Sequence, residues 1–333
     1  MTRLALLIAG LLAGPFLLAG CSGGGPTLVI YNGQHEQLLD ELAPTFTDET
    51  GIKVEIRNGD DLGLSNQLVQ EGSKSPADVF LTENSPAMSQ VEAAGLLQKL
   101  PQDVVDPIPA QYRPSSGDWT GFVSRSTVLV YNKSAVDPAD LPSSILDLAD
   151  PEWKGKLCFS PTGADFQAIV AAMIDLEGES KTKTWLEGLE ANGTTYDGND
   201  VVLESVNSGQ CEVGIEYHYY WYRDQAESGD NSDDSALYFF GHQDPGAFVS
   251  VSGAGVLASS DMKTEAEKFV SFLTHEQGQK LIADSYALEY PLNPAVSLAP
   301  PVKPFDTLQP PEVNVSDLDP KRVVDLLTQV GFL

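Results

Sequence analysis

Three short strings concentrate side chains able to hold a cation: YNGQHEQ at 31–37, DVFLTEN at 78–84 and YHYYWYRDQ at 217–225. They supply an imidazole (His35), a carboxylate (Glu83) and two phenols (Tyr219 and Tyr220). Such a donor set suits a hard or borderline cation of high charge. Two phenolates and one carboxylate sum to about −3, and neutral His35 would be a fourth donor, which favours Fe(III). A free tyrosine ionises near pH 10, so only a strong Lewis acid keeps both phenols ionised near neutrality. Other chemistries stay open for the same residues. Tyr217, Tyr219, Tyr220, Trp221 and Tyr222 together resemble core packing or a stacking surface. With Glu83 as counter-charge they would cage an organic cation of polyamine or thiamine type, or serve an oxyanion. Glu83 and His35 as acid and base would make an extracytoplasmic hydrolase.

Each string follows a strand-like run. TLVIYNG, IKVEIRNG and ADVFLTEN alternate with the helical EQLLDELAPTFTDETG, LGLSNQLVQEG and SPAMSQVEAAGLL. Gly51 is placed to end the first helix, and Ser85-Pro86 to open the third. After WTGFVSRSTVLVYNK the alternation restarts, with helices expected around 166–178, 183–193 and 201–209. CEVGIEYHYYWYRDQAE reads as strand into helix, TEAEKFVSFLTHEQGQKLIADS as helical, and the Pro-rich 300–311 as an extended crossover before a closing helix. Strand–helix alternation implies an α/β fold with a mainly parallel sheet in each of two lobes. We expect residues 27–124 plus about 249–299 in one lobe, and about 125–248 plus 300–333 in the other. Ligands of open α/β sheets bind at strand carboxyl ends, so the cleft between the lobes is the expected site. Neighbouring residues on a strand point to opposite faces. Tyr219 and Tyr220 are therefore expected at a strand end, where a bend aims both phenols at one point.

The chain of 333 residues carries 48 acidic and 19 basic side chains, a formal charge of −29. That balance excludes non-specific nucleic-acid binding and repels anionic lipid surfaces. At 42% hydrophobic and 20% charged residues the chain is globular. Residues 1–20 have a basic start at Arg3 and an apolar run of export-signal type. LAGC ending at Cys21 resembles the lipobox of bacterial lipoproteins, which implies cleavage before Cys21 and its lipidation. SGGGP then makes 21–26 a flexible tether. The expected product is exported and lipid-anchored, outside the cell membrane or in the periplasm. Cys158 and Cys211 remain, as one disulfide in an oxidising compartment or as two buried thiols.

Several strings together resemble the bacterial ferric-ion-binding proteins, transferrin-like substrate-binding components of iron ABC importers. They include YNGQHEQ, FTDETGIKVEIRNG, PADVFLTEN, NDVVLESVNSGQCEVGI, YYWYRD, HQDPGAFVSVSGAGVLASS and YPLNP. The resemblance implies a type II periplasmic-binding-protein fold that closes like a Venus flytrap on Fe(III). It implies His35, Glu83, Tyr219 and Tyr220 as metal ligands, no catalytic turnover, and a monomer that docks to a permease with its ATPase. Such relatives often add a synergistic anion, carbonate or phosphate, held by a small-residue turn and amide side chains. Here the turn is PTGADF: Gly163, Ala164 and then Asp165, a carboxylate that repels an anion. Tyr217 stands where an Asn is usual, while Asn84 and Asn199 remain compatible with anion contact. The anion is lost, or Asp165, Tyr217 or water takes its place. Arg125 is placed to steady Glu83 or an anion near the hinge, or makes a surface ion pair. His218, His242 and His275 read as fold residues rather than ligands.

Overall fold

The computed structural model of the chain describes residues 26–333. The apolar leader at 1–20, Cys21 and the tether through residue 25 lie outside the described residues. The first half runs β1 (Thr27–Gly33), α1 (Glu36–Thr50), β2 (Lys53–Asn58), α2 (Asp61–Glu71), β3 (Val79–Thr82), α3 (Ser85–Ala93) and α4 (Gln102–Val105). Helix α1 buries Leu38, Leu39, Leu42 and Phe46 on one face, and Gly51 ends it in the left-handed region at φ 71°. Strand β4 (Trp119–Asn132) then leads to β5 (Leu157–Phe159), α5 (Ala164–Glu177), α6 (Glu179–Asn192), β6 (Gly193–Thr195), α7 (Asn199–Asn207), β7 (Val213–Tyr217), α8 (His218–Glu227) and β8 (Ser235–Tyr238). The return comprises β9 (Val249–Val256), α9 (Lys263–Thr274), α10 (Glu276–Asp284), β10 (Tyr290–Pro291) and α11 (Pro320–Val330). The helical run from 263 to 284 is two helices, because His275 has extended backbone at ψ 163° and starts the second. Among the described residues, no helix is long and apolar enough to cross a membrane.

Two sheets share β4. In the first, β2, β1 and β3 are parallel; β9 lies antiparallel against β3, and the Trp119–Ser126 part of β4 antiparallel against β9. In the second, β6, β5 and β7 are parallel, and β7 and β8 flank the Thr127–Asn132 part of β4 in antiparallel register. Parallel pairing is thus confined to the outer three strands of each sheet. Their strand–helix–strand crossovers force it, whereas β4 and β9 carry the chain between the lobes in opposite directions and must pair antiparallel. Each sheet has its own apolar core. Leu28, Ile30, Phe46, Phe122 and Phe269 pack at the first, and Leu157, Phe159, Phe166, Trp185 and Ile215 at the second. Cys158 on β5 and Cys211 just before β7 form a disulfide, with Cα atoms 6.0 Å apart.

Candidate metal site

The side chains of the site follow the carboxyl ends of strands, two of them on loops that are tied down locally and the others on the first turns of helices. After β1, the Asn32 amide donates to Gln34 O at 2.8 Å and accepts from Gln34 N at 3.1 Å. This clasp presents His35, whose own N–H donates to Gln34 Oε1 at 2.7 Å. After β3, the backbone N–H groups of Glu83 and Asn84 both donate to the Asp61 carboxylate, each at 2.8 Å. Gly33 is required beside that carboxylate, since a Cβ there would lie 2.4 Å from Asp61 Oδ1. After β7, helix α8 begins at His218, so Tyr219 and Tyr220 lie within its first turn rather than at a strand end before it. Successive helical residues are about 100° apart, not opposed as on a strand. Both rings therefore leave one side of α8 and stack, with centroids 4.2 Å apart.

His35, Glu83, Tyr219 and Tyr220 converge. The Tyr219 hydroxyl donates to Glu83 Oε1 at 3.2 Å, and His35 Nε2 is 3.5 Å from the same oxygen. The His35 and Tyr219 rings meet edge to face at 5.3 Å. Asp165, on the first turn of α5, joins them: Tyr220 Oη donates to Asp165 Oδ2 at 3.1 Å, and Tyr219 Oη lies 3.5 Å from that oxygen. Asn84 and Asn199 donate their amides to the two Asp165 oxygens at 3.2 and 2.9 Å. Tyr217 turns its hydroxyl away from this oxygen cluster and onto the Asp165 backbone carbonyl at 3.2 Å. Gly163 caps α5 and Ala164 is its first residue, so their part is to aim Asp165. Arg125 makes no surface ion pair: it is fully buried on β4, and its guanidinium donates to the Glu83 carbonyl and the Ser252 hydroxyl. Its Nε lies 3.8 Å from Glu83 Oε1.

One acidic residue at this locus escapes sequence reasoning. Glu289, on the segment between α10 and β10, is fully buried and lies 2.9 Å from His35 Nε2. Arg125 Nε and Arg223 Nη2 each approach it at 3.6 Å. In sequence it is a lone acid before YPLNP, with no periodicity to set it apart. Nε2 of His35 and carboxylate oxygens of Glu83 and Glu289 all lie within 4.8 Å of one another. His218 is a fold residue here. Its Nδ1 accepts from Ser126 N at 3.2 Å, so its Nε2–H faces Leu288 O at 3.1 Å, and burial lowers its pKa to about 3. Asp244 caps its own turn through Gly246 N, with His242 beside it at φ 55°.

Electrostatics divide these carboxylates. Burial works against the Glu289 charge, but Arg125, His35 and Arg223 together bring its pKa down to about 2. Burial, then the nearby Glu83, push Asp165 up to about 7, against the pull of Arg125 and the Asn84 amide. Burial alone would lower the His35 pKa, yet Glu83 and Glu289 hold it above the usual histidine value. Tyr219 and Tyr220 are held well above 10, by burial first and then by Asp165. Without a cation the site therefore keeps its phenols protonated, as donors to carboxylates. A strong Lewis acid exchanges those protons for itself.

The family model described as bacterial extracellular solute-binding protein matches residues 74–313. The Fe(3+)-binding periplasmic protein of Serratia marcescens is 50% identical over 306 residues, covering 92% of this chain and 90% of that protein. The major ferric iron-binding protein of Neisseria meningitidis is 37% identical over 333 residues, covering 99% and 98%. The chain belongs to the bacterial ferric-ion-binding proteins. Among solved structures of this family, iron-bound HitA from Pseudomonas aeruginosa superposes with a TM-score of 0.86 at 41% identity, covering 92% of this chain and all of that one. The type II periplasmic-binding-protein fold follows from that likeness.

Proposed function

We propose that this protein captures Fe(III) between its two lobes and delivers it to an ABC permease with its ATPase. The ligands are His35, Glu83, Tyr219 and Tyr220, and Asp165 is a fifth donor standing in for a synergistic anion. One observation carries this reading: both phenols, His35 and two carboxylates from different lobes meet at one buried point. Phenolates at Tyr219 and Tyr220 with the Glu83 carboxylate offset the ferric charge. Asp165 adds an anionic oxygen that a free anion would otherwise supply, and Asn84 and Asn199 orient it. The lobes are residues 27–124 with about 249–299, and about 125–248 with 300–333. Closing them excludes water from the ion, where charge–charge attraction is strongest.

The protein has no turnover of its own, acts as a monomer and works outside the cytoplasm, tethered by lipid at Cys21. Mass spectrometry of the membrane-extracted protein checks the tether: a diacylglyceryl thioether on Cys21 supports it, and an unmodified or absent Cys21 refutes it. The visible spectrum tests the ligands. Addition of a ferric salt gives a phenolate-to-iron charge-transfer band, and Tyr219→Phe with Tyr220→Phe abolishes it and cuts affinity by more than about 10³-fold, as expected for losing two charged donors. Undiminished colour and affinity in the double variant would sink the assignment.

A further inference from the structure

Arg223 lies one turn along α8 from the two tyrosines, and nothing in the ligand set uses it. Its guanidinium is sandwiched between two rings: the carbon centre is 4.2 Å from the Tyr219 centroid and 4.6 Å from that of Tyr286. Its Nε donates to Ala287 O at 3.0 Å, and its Nη2 lies 3.6 Å from Glu289. The two rings belong to different lobes. Tyr219 is on α8, which follows β7 of the second sheet. Tyr286 and Ala287 pack into the apolar core of the first sheet, just ahead of β10, which pairs with β4 at Ser124 and Val123. A planar cation can stack on two faces and still spend its in-plane N–H groups on a carbonyl and a carboxylate, which a lysine ammonium cannot. The same 286–289 segment reaches His35 through Glu289, so one guanidinium bridges a tyrosine of one lobe to the partner of a histidine of the other.

We propose that Arg223 is a positioning residue that latches the closed lobes and fixes the ring of Tyr219, so that it sets how slowly iron leaves. This rests on the reading of Tyr219 as an iron ligand. The latch is made by Tyr286, Ala287 and Glu289 on one side of the cleft and by the Tyr219 ring face on the other. It acts without touching the ion. A cation above the phenolate lowers the energy of the donor electrons, so its removal moves the charge-transfer band to longer wavelength.

The test compares iron-loaded wild type, Arg223→Ala, Arg223→Lys and Tyr286→Leu, each first checked for folding by circular dichroism. Iron release to excess EDTA is followed by loss of the visible band. Arg223→Ala is expected to keep the band, shift it to the red and release iron about tenfold faster, which is about 1.4 kcal/mol. Arg223→Lys should release nearly as fast, because charge alone does not restore the sandwich. Tyr286→Leu should speed release with no band shift, since it opens only the face remote from the ligand. A wild-type release rate in Arg223→Ala, or full rescue by lysine, overturns the latch. An unshifted band with faster release overturns the fixing of Tyr219. Failure of the ligand reading shows separately, as a band whose intensity Tyr219→Phe leaves undiminished.

Discussion

Asp165 is the residue on which the chemistry of this site turns. It accepts from Tyr220, lies within reach of Tyr219, and is held by two asparagine amides. If it replaces a free anion, iron binding by the wild type is indifferent to phosphate. Asp165→Ala opens that position, and its affinity should become at least about tenfold dependent on added phosphate or carbonate. Chelator competition in phosphate-free and phosphate buffers measures this. Asp165 also governs the iron-free protein. Its pKa of about 7 lies above that of an unfolded aspartate, so its contribution is complete below about pH 4 and lost as pH rises through 7. His35, also raised, acts in the same direction. Glu289, lowered to about 2, contributes above the usual glutamate range and loses that contribution as pH falls. Iron-free stability should therefore peak near about pH 4. Asp165→Asn should raise the pH 8 melting temperature by about 3 °C, the shift expected of about 2 kcal/mol in a chain of this size. Scanning calorimetry across pH checks both statements.

At the scale of elements, precision comes from the turns that end β1 and β3. Gly33→Ala forces a methyl group against Asp61 and within 3.2 Å of Leu81 O. Such overpacking costs about 1–3 kcal/mol. It also displaces the carboxylate that clamps the Glu83 and Asn84 amides, so iron affinity should fall along with the denaturation midpoint. Chelator competition and urea titration of one preparation separate the two effects. These elements were largely legible in the sequence. The apolar spacing of Leu38, Leu39, Leu42 and Phe46 marks α1, Gly51 marks its end, and β-branched runs mark β1 to β3. His35 and Glu83 are locatable because each follows such a run. Local pattern fails where placement depends on contacts distant in sequence. Glu289 meets His35 only once the segment before β10 has packed on the first sheet, and Asp165 meets both phenols only once α5 and α8 stand side by side in the second lobe. The start of α8 at His218 was also hidden, since aromatic residues suit a strand as well as a helix turn.

For the whole molecule, two covalent and topological ties stand out. The disulfide closes a span of 53 residues in the second sheet. On the chain-entropy account such a loop contributes about 4 kcal/mol. Cys158→Ser with Cys211→Ser should lower the urea midpoint of the iron-free protein while leaving the iron-bound colour unchanged, because neither sulfur belongs to the ligand set. The other tie is β9. It lies between β3 and β4, pairing Val79 with Val256 and Trp119 with Gly255. The first three strands are therefore synthesised long before the strand that completes their sheet, and contacts so distant in sequence form slowly. For a protein destined to work beyond the cytoplasm this is useful. A chain that cannot finish its first lobe until its last third has been made stays threadable while it is being moved across a membrane.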